Sequence, residues 1–202
     1  MAVKFKTEEG DRRTQKTRKL LSEALRTLMA EKSYEAITVQ EIIDRANVGR
    51  STFYSHYESK EHLLVGQEPI ERLLIELGKR DIDSSGQARI NLLALYQHVK
   101  DHAGLAKAAM GKESGNILLK CFRDNLYFRI VEQYEGLYSG KPTEHTMFLL
   151  TAEAAASAMI RLLESWIDKN MPFPPEEMSC RSQQLLDRLL SSQTVRFPNT
   201  AC

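Results

Sequence analysis

The chain has 202 residues, enough for one or two domains with a sizeable core. With 42% hydrophobic and 27% charged residues it has the composition of a folded globular protein, which excludes wholesale disorder. Its 28 Lys and Arg against 27 Asp and Glu leave a net charge of +1, so no global field draws it to nucleic acid or to a membrane surface.

Charge is instead gathered locally. The run "DRRTQKTRK" holds Arg12, Arg13, Lys16, Arg18 and Lys19 beside one acid. Taken alone, such a run reads as a solvated helix end. Cys121, Cys180 and Cys202 lie far apart, are odd in number and lack metal-type spacing, which fits a reduced, cytoplasmic protein with incidental thiols. The N-terminal "MAVKFKTEEGD" has no apolar core of a signal peptide, and no apolar stretch is long and uninterrupted enough for a membrane span. No membrane partner is therefore expected.

In chain order, almost everything reads as helix. From Thr14 to Glu31, Leu21, Ala24, Leu25, Leu28 and Met29 recur at helical spacing and form one apolar stripe. "EKSYEAI" interrupts it, and Thr38 then opens "TVQE", a capping box that starts a second helix with Val39, Ile42, Ile43 and Ala46 inward. That helix stops early, because Asn47 tolerates the left-handed conformation and Gly49 permits a sharp exit. "RSTFYSHY" fits a third helix, and Ser59 is an N-cap for a fourth. Three short helices with a tight turn between the second and third make a helix-turn-helix arrangement. Pro69 should disturb the fourth helix around "VGQEP", and "ERLLIELGKR" resumes it as far as the polar loop "DIDSSG". Helices are then expected in "ARINLLALYQHVKDH", "GLAKAAMG", "NILLKCFRDNLYFRIVEQY", from about Glu144 to Lys169, and from "NMPFPPEE" to about Ser191. The fold class expected is all-α: a three-helix helix-turn-helix domain over 10–58, joined by a connecting helix to a larger helical bundle over 59–195.

A helix-turn-helix lays its second helix in the DNA major groove, so that helix must bury one face and offer the other to bases and phosphates. Val48 and Phe53 suit the core, with Ile42 and Leu25 as neighbours. Arg50, Ser51, Thr52, Tyr54 and Ser55 are left for base edges and phosphates, and His56, Tyr57 and Lys60 suit phosphate oxygens. Helical spacing alone fits ordinary core and surface equally well. The order of residues separates the two readings. "AITVQEIIDRANVGRSTFYSHYESKEHLL" resembles the DNA-binding signature of the TetR/AcrR family of transcriptional regulators, with Thr38, Ile42, Ala46, Val48, Thr52, Phe53, Tyr54, His56, Lys60 and Leu63 in register. The resemblance covers about residues 13–64. Asn47 stands where that family usually has Gly, and Gly49 where it usually has a hydroxyl-bearing helix cap, so a cap-to-phosphate contact is not carried over. By the same resemblance Arg12, Arg13, Thr14 and Lys16 are placed at phosphate or an adjacent minor groove, and Thr38 joins the DNA-contacting set.

In the resembled family the larger domain binds an effector and dimerises. Leu92, Tyr96, Met110, Phe122, Leu126, Tyr127 and Arg129 are the candidates for an apolar cavity with polar anchors, although each also suits plain core. His98 and His102 lie four apart but lack a third ligand at helical spacing, so no metal site is expected. The small residues of "TAEAAASAMIRLLESW" and the leucines of the last helix resemble the family's four-helix dimer interface. Its candidates are Phe148, Ala155, Met159, Trp166, Leu185 and Leu189, with burial inside one monomer as the alternative. No catalytic triad order, phosphate loop, paired-carboxylate motif or cofactor motif occurs, so neither an enzyme nor a cofactor is expected. The resemblance implies a cytoplasmic, homodimeric, ligand-responsive repressor of a palindromic DNA operator, with a small-molecule effector of unknown identity. The competing reading is an effector-independent structural or cell-cycle DNA-binding protein on the same fold.

Overall fold

The computed structural model describes residues 12–82, 88–135 and 142–191. The described residues form ten α-helices, a 3-10 turn and one two-stranded hairpin. Residues 10, 11 and 192–195 of the expected domains, part of the "DIDSSG" loop, the "GLYSGK" break and Cys202 lie outside them. The fold is all-α apart from the hairpin. Its described part divides into two compact units, 12–72 with 111–118 and 73–110 with 119–191. The division expected after residue 58 lies one helix before that boundary.

The smaller unit contains α1 (Arg12–Glu31), the 3-10 turn Tyr34–Ala36, α2 (Val39–Ala46), α3 (Arg50–His56), α4 (Lys60–Val65) and the start of α5 (Glu68–Gly78). Leu21, Ala24, Leu25 and Leu28 of α1 pack with Ile42, Ile43, Ala46, Phe53 and Leu63, while Met29 stays 37% exposed at the edge of its stripe. Each short helix is ended by local chemistry. Thr38 Oγ1 accepts the Glu41 amide at 3.3 Å, and Glu41 Oε2 accepts the Thr38 amide at 2.9 Å, which completes the capping box. Asn47 stops α2 in the left-handed region at φ 52°, and the Val48 amide returns to the Ile43 carbonyl at 3.0 Å. Ser59 Oγ accepts the His62 amide at 3.2 Å at the start of α4. Pro69 sits in the first turn of α5, where a missing N–H costs nothing.

The larger unit holds the rest of α5, the hairpin of β1 (Arg80–Ile82) and β2 (Ala88–Ile90), α6 (Leu92–Asp101), α7 (Ala103–Ala109), most of α8 (Glu113–Tyr134), α9 (Pro142–Asp168) and α10 (Pro175–Ser191). The hairpin is antiparallel with Asp81 opposite Arg89, so residues 88–90, expected as helix, are strand and α6 begins only after its Asn91 cap. Strands of three residues are too short to show a period-two pattern. The core is built from α6, α9 and α10, and Tyr96 meets Ser182 in a buried hydroxyl pair at 2.7 Å. Helix α9 is long and apolar enough by composition to cross a membrane. Its Phe148, Ala152, Ala155, Ala156, Met159, Leu163 and Trp166 are buried within the unit, as in a core helix. It ends where Asn170 and Met171 turn left-handed and the Met171 amide reaches the Trp166 carbonyl at 2.8 Å.

Candidate nucleic-acid interface

Helix α3 is only seven residues long, and its orientation is fixed from behind. Phe53 is fully buried beneath it, next to the partly buried Val48. The outer face presents Arg50, Ser51, Tyr54 and Ser55, all exposed, with Thr52 and His56 half-buried at its flanks. Tyr54 stands edge-on to the Phe53 ring at 5.2 Å between centroids, and the Arg50 guanidinium lies 5.8 Å from the Tyr54 ring centre. The aromatic ring and the guanidinium therefore brace each other on the surface before any partner arrives. Burial, followed by the nearby Arg18 charge, pushes His56 below the ordinary histidine range, so a neutral imidazole is offered at pH 7. Gly49 caps α3 with ordinary backbone angles, φ −74° and ψ 154°, and no side-chain hydrogen bond.

Two residues expected at phosphate have partners inside the chain. Tyr57 is 1% exposed. It lies four residues after Phe53 and so falls on the same buried face. Its ring packs 6.1 Å from Phe53 and edge-on to His62 at 5.7 Å, and its hydroxyl accepts the Arg18 Nε–H at 3.4 Å. Lys60 Nζ donates to the carbonyls of Tyr34 and Ile37, both at 3.1 Å, and lies 4.4 Å from the Tyr34 ring centre. Two of its three N–H donors thus hold the turn between α1 and α2. Thr38 is exposed, but its hydroxyl is held in the capping box. On α1, Arg12, Arg13 and Lys16 are exposed, whereas Arg18 faces Tyr57 and Glu71, the latter at 3.9 Å.

In the larger unit the expected pocket residues fall into buried core, half-buried positions and the wall of one described cavity. Leu92, Tyr96, Phe122 and Leu126 are buried core, and Met110 and Tyr127 are half-buried. Arg129 borders a cavity of about 190 Å³, together with Lys79, Arg89 and Glu132. Lys79 and Arg89 escaped the sequence reading because the lining is assembled from three separate elements. The dimer candidates also need correction. Phe148, Ala155, Met159 and Trp166 are no more than 3% exposed inside the chain's own core, while Leu185 is 37% exposed and Leu189 half-buried. The outward stripe of α9 is offset by one residue and runs through Met147, Leu150, Ala154, Ser157 and Arg161. His98 and His102 stack at 4.5 Å between centroids, and no group of three candidate metal ligands occurs among the described residues. Burial, followed by Asp124, pushes the Cys121 thiol up to about 11.

A capped α2, a left-handed Asn47 turn and an α3 anchored by Phe53 form a helix-turn-helix with its polar face outward. Residues 21–66 match the family of bacterial regulatory proteins of the tetR type, and residues 89–188 match a transcriptional regulator C-terminal region. The chain belongs to the TetR family of transcriptional regulators. It is 29% identical over 185 residues to an uncharacterized HTH-type transcriptional regulator, YxbF, of Bacillus subtilis (strain 168), covering 90% of this chain. The chain spans 47% of that relative's length. Among solved structures, a TetR transcriptional regulator from Streptococcus agalactiae is 28% identical, with a TM-score of 0.55 over 87% of this chain and 96% of that one. The dihydroxyacetone kinase operon activator DhaS shares the fold at 18% identity and a TM-score of 0.51, over 87% of this chain and 97% of its own. This TetR-family chain carries the family's helix-turn-helix on an all-α fold.

Proposed function

We propose that the protein is a cytoplasmic, homodimeric, ligand-responsive repressor that binds a palindromic operator, with one α3 reading each half-site. The reading rests on one observation: the exposed Arg50, Ser51 and Tyr54 stand on a helix whose opposite side is locked by Phe53. Arginine forks onto guanine O6 and N7, while serine and tyrosine hydroxyls reach bases or phosphates. Arg12, Arg13 and Lys16 add a basic approach along α1. Two-fold symmetry matches a palindrome, and the outward stripe of α9 with Leu185 of α10 is the face proposed for the second copy. An effector acts by preferring the DNA-incompetent state, and it can shift the equilibrium only by that difference in affinity.

A gel shift on DNA from upstream of the protein's own gene tests the interface. Arg50→Ala and Tyr54→Ala should each weaken binding by about 5- to 150-fold while leaving the circular dichroism spectrum unchanged. If neither variant weakens binding, the assignment of the reading face is wrong. Sedimentation of Leu150→Glu tests the dimer face: the wild type should sediment as a dimer and the variant as a monomer.

A further inference from the structure

The cavity of the larger unit has a charge pattern that plain packing does not require. Its wall is drawn from the end of α5 (Gly78, followed by Lys79), from β2 (Arg89) and from the last turns of α8 (Arg129, Glu132, Gln133). Among the described lining residues Lys79, Arg89 and Arg129 bring three cations, beside the carboxylates of Glu76, Asp187 and Glu132 respectively. The Arg129 guanidinium is laid over Gly78, where an added Cβ would stand 2.4 Å from Nη2 and 2.7 Å from Cζ. Only a residue without a side chain lets the planar group lie there. Arg129 Nη1 donates to Glu132 Oε2 at 2.9 Å, whereas its Nε is buried without an acceptor. A buried charged donor left in that state is costly, so a site that tolerates it is suited to receive an acceptor from outside. Arg89 brings a second guanidinium, 4.0 Å from Asp187, and Lys79 is held by Glu76.

We infer that this cavity binds a compact oxyanion, a small metabolite bearing a carboxylate or phosphate, with Arg129 as its anchor and Arg89 as the second arm. Guanidinium forks match both groups in a planar, bidentate way, and two guanidiniums border this one half-enclosed cleft. At about 190 Å³ the cavity falls below the roughly 300–1,000 Å³ of sites for drug-sized ligands, which selects a small acid over a bulky hydrophobic effector. This names the chemistry of the proposed effector and rests on the larger unit being the effector-binding part.

The test is calorimetric titration of the full chain with sodium succinate, inorganic phosphate and neutral succinamide at constant ionic strength. Succinate or phosphate should bind saturably and succinamide should not, and the anion that saturates identifies the source of the oxyanion. Arg129→Lys keeps the charge but loses the fork, and Gly78→Ala displaces the guanidinium from its bed. Each should weaken binding by at least about tenfold. Arg89→Gln provides a third variant if either of these fails to give the wild-type far-UV spectrum, and Arg26→Lys on α1 serves as the unaffected control. No saturable anion binding, or binding unchanged in the correctly folded site variants, overturns the proposal. Repeating the DNA gel shift separates the two readings. A bound anion that leaves DNA affinity unchanged keeps the site and sinks the effector role. A neutral compound that releases DNA equally from wild type and Arg129→Lys does the reverse.

Discussion

The two units keep their helices by different means. In the smaller one α2, α3 and α4 are eight, seven and six residues long, too short to persist alone. They are held by end chemistry, with Thr38 and Glu41, Asn47, and Ser59 each satisfying orphan backbone groups, and by aromatic wedges in Phe53, Tyr57 and Tyr34. In the larger unit α9 runs for 27 residues, and fully buried Ala152, Ala155 and Ala156 let neighbours approach closely. The lesson is about sensitivity. A polar substitution in the small unit removes a structural part, whereas the larger unit yields mainly to lost bulk.

Bulk removal should hurt both units most. Phe53→Ala and Phe148→Ala, each at a fully buried ring, should cost about 3–5 kcal/mol in urea unfolding, each in its own unit. Equal destabilisation of both units by either substitution would dissolve the comparison. Next comes Lys60→Met, which leaves two carbonyls of the α1–α2 turn without their donor and should cost about 1–3 kcal/mol, read by hydrogen exchange in the small unit. Thr38→Ala should follow at about 1 kcal/mol through loss of the cap.

Acidification gives a subtler contrast. The Lys32 ammonium, then the Thr38 backbone and side-chain hydrogen bonds, hold the Glu41 carboxyl at about 2, against an ordinary 4.5. A depressed carboxyl contributes stability that is complete above the ordinary value and lost as pH falls through the folded one. Between pH 4.5 and about 2 the wild type should therefore lose stability more steeply than Glu41→Gln. Parallel curves from acid titrations followed by circular dichroism would remove Glu41 from the account. The smallest effect is expected at Gly49→Ser. An added Cβ meets nothing nearer than Thr52 Oγ1 at 3.7 Å, so the cap should gain a few tenths of a kcal/mol in thermal unfolding.

Much of the small unit is legible from sequence because its rules are local. Thr38, Asn47 and Ser59 announce helix ends within four residues of where they act, and Phe53 stands at helical spacing. The intrachain partners of Tyr57 and Lys60 are not legible there, for a complementary reason. Those partners, Arg18 and the carbonyls of Tyr34 and Ile37, lie 23 or more positions away, where periodicity carries no information. The same limit hid the cavity, whose cations come from three elements. On α9 the error was one of phase, because an alanine-rich helix has small residues on both stripes and composition cannot say which one faces inward.

Trp166 is the chain's single tryptophan. It is buried edge-on to Tyr96 at 5.3 Å and donates its indole N–H to the Phe173 carbonyl at 3.0 Å, so its surroundings belong to the larger unit. Long-wavelength excitation therefore lights one unit and leaves the other dark. Indole emission follows the melting of the larger unit, while the far-UV spectrum follows the whole helical content. The gap between the two curves measures how independently the DNA-reading unit comes apart.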